Sequence, residues 1–145
     1  WPNDIYVDNR KICGILVKAQ LHGKIFQHAI CGIGINVNQT QFSEWIPNPT
    51  SLKLLTEKDY PLDEILPQFI QSIQLRYQQL SNSQETLNQD YLAILLNRGT
   101  MRRYHYHDDI ITATILDVND FGHLRLLTSQ GSTIICQHGE ISLIQ

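Results

Sequence analysis

The chain has 145 residues with a formal net charge of −3, and 42% of its residues are hydrophobic against 17% charged. That is length for one ordinary domain, or a domain plus a small module, and enough apolar material to bury a core. The acidic balance, without any lysine/arginine block, does not support a nucleic-acid or anionic-membrane partner, and apolar runs broken every few residues exclude a membrane-spanning helix.

In chain order, the first third is strand-like. Ile5–Val7, Ile12–Leu21 and Ile25–Asn36 are rich in β-branched residues and are separated by the short clusters Asp8-Asn9-Arg10 and His22-Gly23-Lys24. Turns this short join antiparallel strands, since parallel ones need a long crossover, so a three-stranded meander is expected. From Val37 to Pro49 the pattern gives way to polar residues and prolines, a long loop carrying Trp45. Thr50 or Ser51 is then placed to cap a short helix running to Lys58. Leu62, Ile65, Phe69, Ile73, Tyr77 and Leu80 recur at the helical period, with Pro67 in the early turns, and a second helix is expected over Gln84–Leu96.

Beyond Asn97-Arg98-Gly99 the texture changes to five short strand-like segments. They are 102–107, 110–118, 123–128, 133–138 and 140–144, parted by Asp108-Asp109, Asn119-Asp120-Phe121-Gly122 and Ser129-Gln130-Gly131. So many strands in so short a span suggest a small closed or half-closed barrel, with a domain boundary near Asn97. Cys13, Cys31 and Cys136 are odd in number, widely spaced and set in apolar runs. They read as reduced buried thiols, which fits a cytoplasmic protein without a structural zinc site. The stretch from Tyr104 to Asp109 holds His105 and His107 two apart, but no third ligand at metal-type spacing, so no intrinsic metal site is expected. Opening on Trp1-Pro2 without an initiator methionine, the sequence reads as a piece of a longer protein.

The chemistry concentrates near the start. Trp1-Pro2-Asn3-Asp4 leads into the first strand, Lys11-Ile12-Cys13-Gly14-Ile15-Leu16 follows, and Gly32-Ile33-Gly34-Ile35-Asn36 closes the third. Glycines at alternate strand positions leave two missing side chains on one face, which usually marks a bulge or a ligand's close approach to the backbone. Gly32-x-Gly34 lacks the third glycine and the strand-to-helix context of a dinucleotide site.

Together these three motifs resemble the biotin protein ligase family, whose usual forms are Trp-Pro-Asn-Asp, Lys-x-x-Gly-Ile-Leu and Gly-x-Gly-Ile-Asn. Thr50-Ser51-Leu52 and Gly139-Glu140-Ile141-Ser142 are similar to further family signatures, so the likeness covers essentially the whole chain. It implies an α+β fold. Residues 1–97 would be the later part of a class II synthetase-like catalytic domain, with a mixed, largely antiparallel sheet and helices. Residues 98–145 would be a small Src-homology-3-like barrel.

The resemblance also implies roles. Lys11 would contact the biotin carboxylate and the developing adenylate, where a compact ammonium neutralises carboxylate and phosphate as they meet. Asn3, Asp4 and Asn36 would lie near the ATP phosphates and Mg²⁺, and Leu16, Gly32, Gly34 and Ile35 would wall the pocket for biotin and adenine. Trp45 would belong to a loop closing over the adenylate, and Glu140 would approach the site from the barrel. The reaction implied is formation of biotinyl-AMP from biotin and MgATP, followed by transfer to a lysine of the biotin carboxyl carrier protein domain of acetyl-CoA carboxylase. The family's glycine/arginine-rich phosphate loop would precede Trp1, so little or no activity is expected of these residues alone.

Three alternatives stay open. One is a lipoate-type acyl ligase. Another is a non-catalytic module that binds a carrier protein or forms a homodimer. The third, nucleic-acid binding through Arg98, Arg102 and Arg103, is opposed by the acidic charge.

Overall fold

The computed structural model describes residues 1–23 and 25–144; Lys24, in the second expected turn, lies outside the described residues. The chain forms two compact units that divide within a helix, after Leu75.

In the first unit, β1 (Asp4–Val7), β2 (Arg10–His22) and β3 (Ile25–Ile35) form an antiparallel sheet in the order β1-β2-β3, the meander expected from the short turns. Val7 pairs with Arg10, so the β1–β2 loop is the two residues Asp8 and Asn9, at φ 49° and 61°. Consecutive positive φ angles give a type I′ turn, whose twist matches that of the strands it joins, and Asp and Asn tolerate that conformation. After β3 the chain runs out through the long loop and returns beside β2. Lys11 N–H donates to the Asn48 carbonyl at 2.7 Å and Thr50 N–H donates to the Lys11 carbonyl at 2.8 Å.

Helix α1 (Leu52–Thr56) follows directly. Of the two candidate caps, Ser51 takes the role: its hydroxyl accepts from Leu54 N–H at 3.2 Å. The helix stops at Thr56 rather than Lys58, because Glu57 turns left-handed at φ 62° and returns its N–H to the Lys53 carbonyl. Helix α2 (Leu62–Asn82) runs through Pro67 unbroken. The proline, sixth in the helix, lacks the N–H that would donate to the Asp63 carbonyl, and the remaining bonds carry the helix past it. Helix α3 (Gln84–Ile94) ends two residues earlier than expected, and Arg76 near the end of α2 pairs with Asp90 of α3 at 2.5 Å.

The second unit holds β4 (Met101–Tyr106), β5 (Asp109–Val118), β6 (Leu124–Thr128), β7 (Thr133–Cys136) and β8 (Ile141–Leu143). Its five strands pair antiparallel in the order β7-β6-β5-β4-β8. Alternate residues point inward, and Tyr104, Ala113, Ile115, Leu124, Leu126 and Cys136 make a buried core. The ladder is an open sheet rather than a closed barrel: β7 pairs with β6, the three residues of β8 pair with the end of β4, and these two strands form the edges. The first turn also shifts. Tyr106 pairs with Asp109, so the loop is His107-Asp108, with His107 at φ 52°, and Asp109 begins β5. His107 therefore does not share a strand face with His105. The architecture as a whole is the mixed, largely antiparallel α+β fold that the sequence implies.

Candidate active site

Lys11 and Gly14 are three residues apart, and in a regular strand an odd spacing puts side chains on opposite faces. The β1–β2 register resolves this. Asp4 pairs with Gly14 and Ile5 with Cys13, but Tyr6 pairs with Lys11, so Ile12 is an extra residue on β2. This β-bulge reverses the alternation and turns Lys11 onto the face that carries Gly14. A Cβ placed on Gly14 would lie 3.7 Å from Lys11 Cε, Lys11 Nζ and Asp4 Oδ1. The lysine therefore stretches over bare backbone and meets Asp4 in an ion pair, Nζ to Oδ1, of 2.7 Å.

The same face continues across the sheet. Gly14 pairs with Gly34 and Leu16 with Gly32, and directly opposed residues share a face. Asp4, Lys11, Leu16, Gly32 and Gly34 thus lie together, with Gly14 between the charged pair and the glycines. No atom lies within 4 Å of where a Gly34 side chain would be, so the floor beside the pair is open. Leu16, 73% exposed, stands at its margin. Ile35 does not join this group. It pairs with Cys13 and alternates to the other face of the sheet. Burial, followed by the Asp4 carboxylate, pushes the Cys13 thiol up, with Lys11 pulling the other way, so this cysteine is a protonated apolar filler.

Asn36 sits where β3 gives way to the loop. Its side-chain Nδ2 donates to the Thr50 carbonyl at 3.0 Å and its N–H to the Ile12 carbonyl at 2.9 Å. Asn3 lies one residue before Asp4, and its carbonyl accepts from Ile15 N–H at 2.8 Å. The loop is pinned at both ends. Asn38 exchanges two hydrogen bonds with the Tyr60 backbone, at 2.7 and 2.9 Å, and residues 48–50 lie against Lys11. Between those anchors Trp45 projects, 92% exposed. Glu140 belongs to the second unit, where its Oε2 accepts from Gln137 N–H at 2.7 Å and closes the turn before β8. Among the described residues no group of three His, Cys, Asp or Glu side chains is arranged to hold a metal ion.

Sequence reasoning passed over three contributors. Gly14 is the floor under the ion pair, and its place in Lys-x-x-Gly was a signal that the odd spacing obscured. Asn38 pins the loop, with no local signal beyond its residue type. Thr50 enters the sequence reading only as one of two candidate caps and as part of the Thr50-Ser51-Leu52 signature, yet it is completely buried, its hydroxyl has no partner, and its backbone binds both Lys11 and Asn36.

Chemically, this face offers one ammonium, one carboxylate and a bare strip of backbone. A flat anionic or mixed polar–apolar ligand can lie on such a strip without side-chain interference, and Lys11 can exchange Asp4 for an incoming oxyanion.

The model of the Biotin/lipoate A/B protein ligase family matches residues 1–36, the span holding β1 to β3 and Asn36. The "Bifunctional ligase/repressor BirA" of Bacillus subtilis is 27% identical over 135 residues, and that of Bacillus spizizenii is 27% identical over 137. Each alignment covers 90% of this chain, which spans 42% of the length of those relatives. Among solved structures, the apo biotin protein ligase from Aquifex aeolicus superposes with a TM-score of 0.74 at 28% identity, covering 100% of this chain and 63% of that one. The same enzyme in complex with biotin and ATP gives 0.73 at 26% identity, with 100% and 60% covered. Family model, curated relatives and solved structures thus agree on one likeness, to the biotin protein ligases.

Proposed function

We propose that this chain supplies one wall of an adenylate-forming site that makes biotinyl-AMP and passes biotin to a carrier-protein lysine. The carrying observation is Lys11 Nζ, turned by the bulge over Gly14 and held 2.7 Å from Asp4 beside the open glycine floor. That the Aquifex aeolicus ligase is described in complex with biotin and ATP supports biotin and ATP as the ligands.

In the first step a biotin carboxylate oxygen attacks the α-phosphorus of ATP. The bond from that phosphorus to the bridging oxygen breaks, and pyrophosphate leaves with the electron pair. Two anions must approach each other, and Lys11 leaves Asp4 to neutralise them, so catalysis is mainly positioning and charge compensation. Asp4 pairs with Lys11 through Oδ1 and carries a second oxygen; together with Asn3 it offers hard donors. That set fits Mg²⁺, which needs one or two carboxylates besides substrate phosphates and would supply further neutralisation of the triphosphate. In the second step a lysine amine of a biotin carboxyl carrier protein attacks the mixed anhydride, AMP departs, and the amine gives up its proton. The pinned loop carrying Trp45 is placed to cover the anhydride and exclude water. Free thiols at Cys13, Cys31 and Cys136 accord with a reducing cytoplasm.

ATP–pyrophosphate exchange tests this reading in the protein encoded by the complete gene. Biotin-dependent exchange is expected, and Lys11→Ala should lower it at least about 100-fold while leaving the fold intact. Exchange that ignores this substitution would end the assignment. The family model also covers lipoate ligases, so lipoate belongs in the same assay; a preference for it would replace biotin as the acyl substrate. Residues 1–145 alone should give little or no exchange, because the sheet beneath the site leaves Leu16, Val17, Ile25 and Ile30 uncovered.

A further inference from the structure

The segment Asn48-Pro49-Thr50 does more than close a loop. It binds the backbone of Lys11 on both sides: Lys11 N–H donates to Asn48 at 2.7 Å, Thr50 N–H donates to the Lys11 carbonyl at 2.8 Å, and Lys11 and Pro49 form an isolated parallel bridge. Lys11 is the residue just before the bulge, where the β1 ladder is irregular. Asn36 fastens the same segment from the other side. Its Nδ2 donates to the Thr50 carbonyl at 3.0 Å, and its own backbone reaches Ile12 at 2.9 Å and Leu52 at 3.1 Å. The reverse amide orientation would set two oxygens against each other, so the donor identity follows from the partner. Thr50 and Ser51 are fully buried beneath this lacing, and the Thr50 hydroxyl has no partner there.

We propose that Asn36 is a positioning residue that clamps the Asn48–Thr50 strap onto Lys11 and thereby fixes where the Lys11 ammonium stands. This rests on the reading of Lys11 as the charge-neutralising group, and it deepens that reading. The donor side of the Asn36 amide is committed to the strap, so the residue acts through Thr50 and the Lys11 backbone. Thr50, at the end of the strap, carries an unpaired buried hydroxyl, an arrangement stability alone does not favour.

Amide hydrogen exchange on the 145-residue chain tests the strap without reference to activity. In Asn36→Asp and Asn36→Ala, the Lys11 and Thr50 amides should exchange at least about tenfold faster, while the β2–β3 ladder and the β5–β6 amides stay protected. Those ladder amides also report whether either variant fails to fold, and the alanine variant removes the donor without adding charge. In the gene-length protein the same variants should lower kcat for biotinyl-AMP formation about tenfold, with the ATP KM within about twofold of the unaltered protein. Unchanged strap exchange in both folded variants would overturn the clamp. A raised ATP KM at unchanged kcat would overturn positioning in favour of direct phosphate contact. If the unaltered gene-length protein shows no pyrophosphate exchange, the ligase reading fails, and the amide data still decide the strap.

Discussion

The two sheets treat apolar side chains in opposite ways. In the second unit, five short strands with alternating burial gather Tyr104, Ala113, Ile115, Leu124, Leu126 and Cys136 into a core of their own. In the first, longer strands of equally β-branched composition leave Leu16, Val17, Ile25 and Ile30 open. What is buried there is Ile12 and Cys13 at the bulge, and the polar pair Thr50 and Ser51. One sheet spends its apolar residues on its own stability. The other keeps its burial for the few positions that aim Lys11 and leaves its broad faces for something else to cover.

Paired truncations test this contrast most severely. Leu126→Ala, at a position with no exposure, should cost about 2–5 kcal/mol by denaturant titration. Leu16→Ala, 73% exposed, should cost within about 0.5 kcal/mol. A Leu16 cost matching that of Leu126 would show that the first sheet is covered after all.

The cysteines give a second comparison. Burial, then Glu140, pushes the Cys136 thiol from an ordinary 9.0 up to about 11. A thiolate fraction lowered about 100-fold in mildly alkaline solution follows from that rise. Iodoacetamide should therefore modify exposed Cys31 first and leave Cys136 until unfolding, as peptide mass mapping will show. The linkage also has a sign. The unfolded chain gives up this proton near 9.0 and the folded chain near 11, so stability should decline as pH rises across that window, and Cys136→Ala should flatten the decline.

The smallest expected effect is at the helix cap. Ser51→Ala removes the acceptor for Leu54 N–H and should cost about 1 kcal/mol. Its thermal shift should be reproduced within error by a Ser51→Ala, Lys11→Ala double variant less the Lys11 effect only if the cap and the strap act independently; a non-additive result would sharpen how closely the first unit's buried polar residues are tied together.

How much of this was legible in the sequence depends on the range of the interaction. The meander, the two long helices and the five later strands follow from period and turn residues, because those signals are local. The alternate glycines Gly32 and Gly34 likewise announced a bare strip through period two alone. The bulge at Ile12 did not show, since its only trace is an odd spacing that regular strand geometry misreads. The strap was further out of reach: Asn36 and Thr50 meet across a loop of polar residues and prolines whose path no periodicity encodes. Ile35 shows the converse hazard. It sits inside a motif that points to the pocket, yet alternation carries it to the opposite face. Asp109 belongs to the strand rather than the turn, because His107 takes the left-handed conformation and Tyr106 pairs with Asp109.

The extra residue at Ile12 makes the start of β2 a parity device. Removing Ile12 would leave Lys11 opposite Tyr6 in a regular ladder, at an even spacing from Gly14, and so keep the ammonium on the same face; straightening the ladder while keeping all three steps would carry it to the far side. For anyone aligning or redesigning this segment, a single-residue gap at Ile12 is thus a milder change than the fixed spacing of the motif suggests, and a substitution that straightens the ladder a more drastic one.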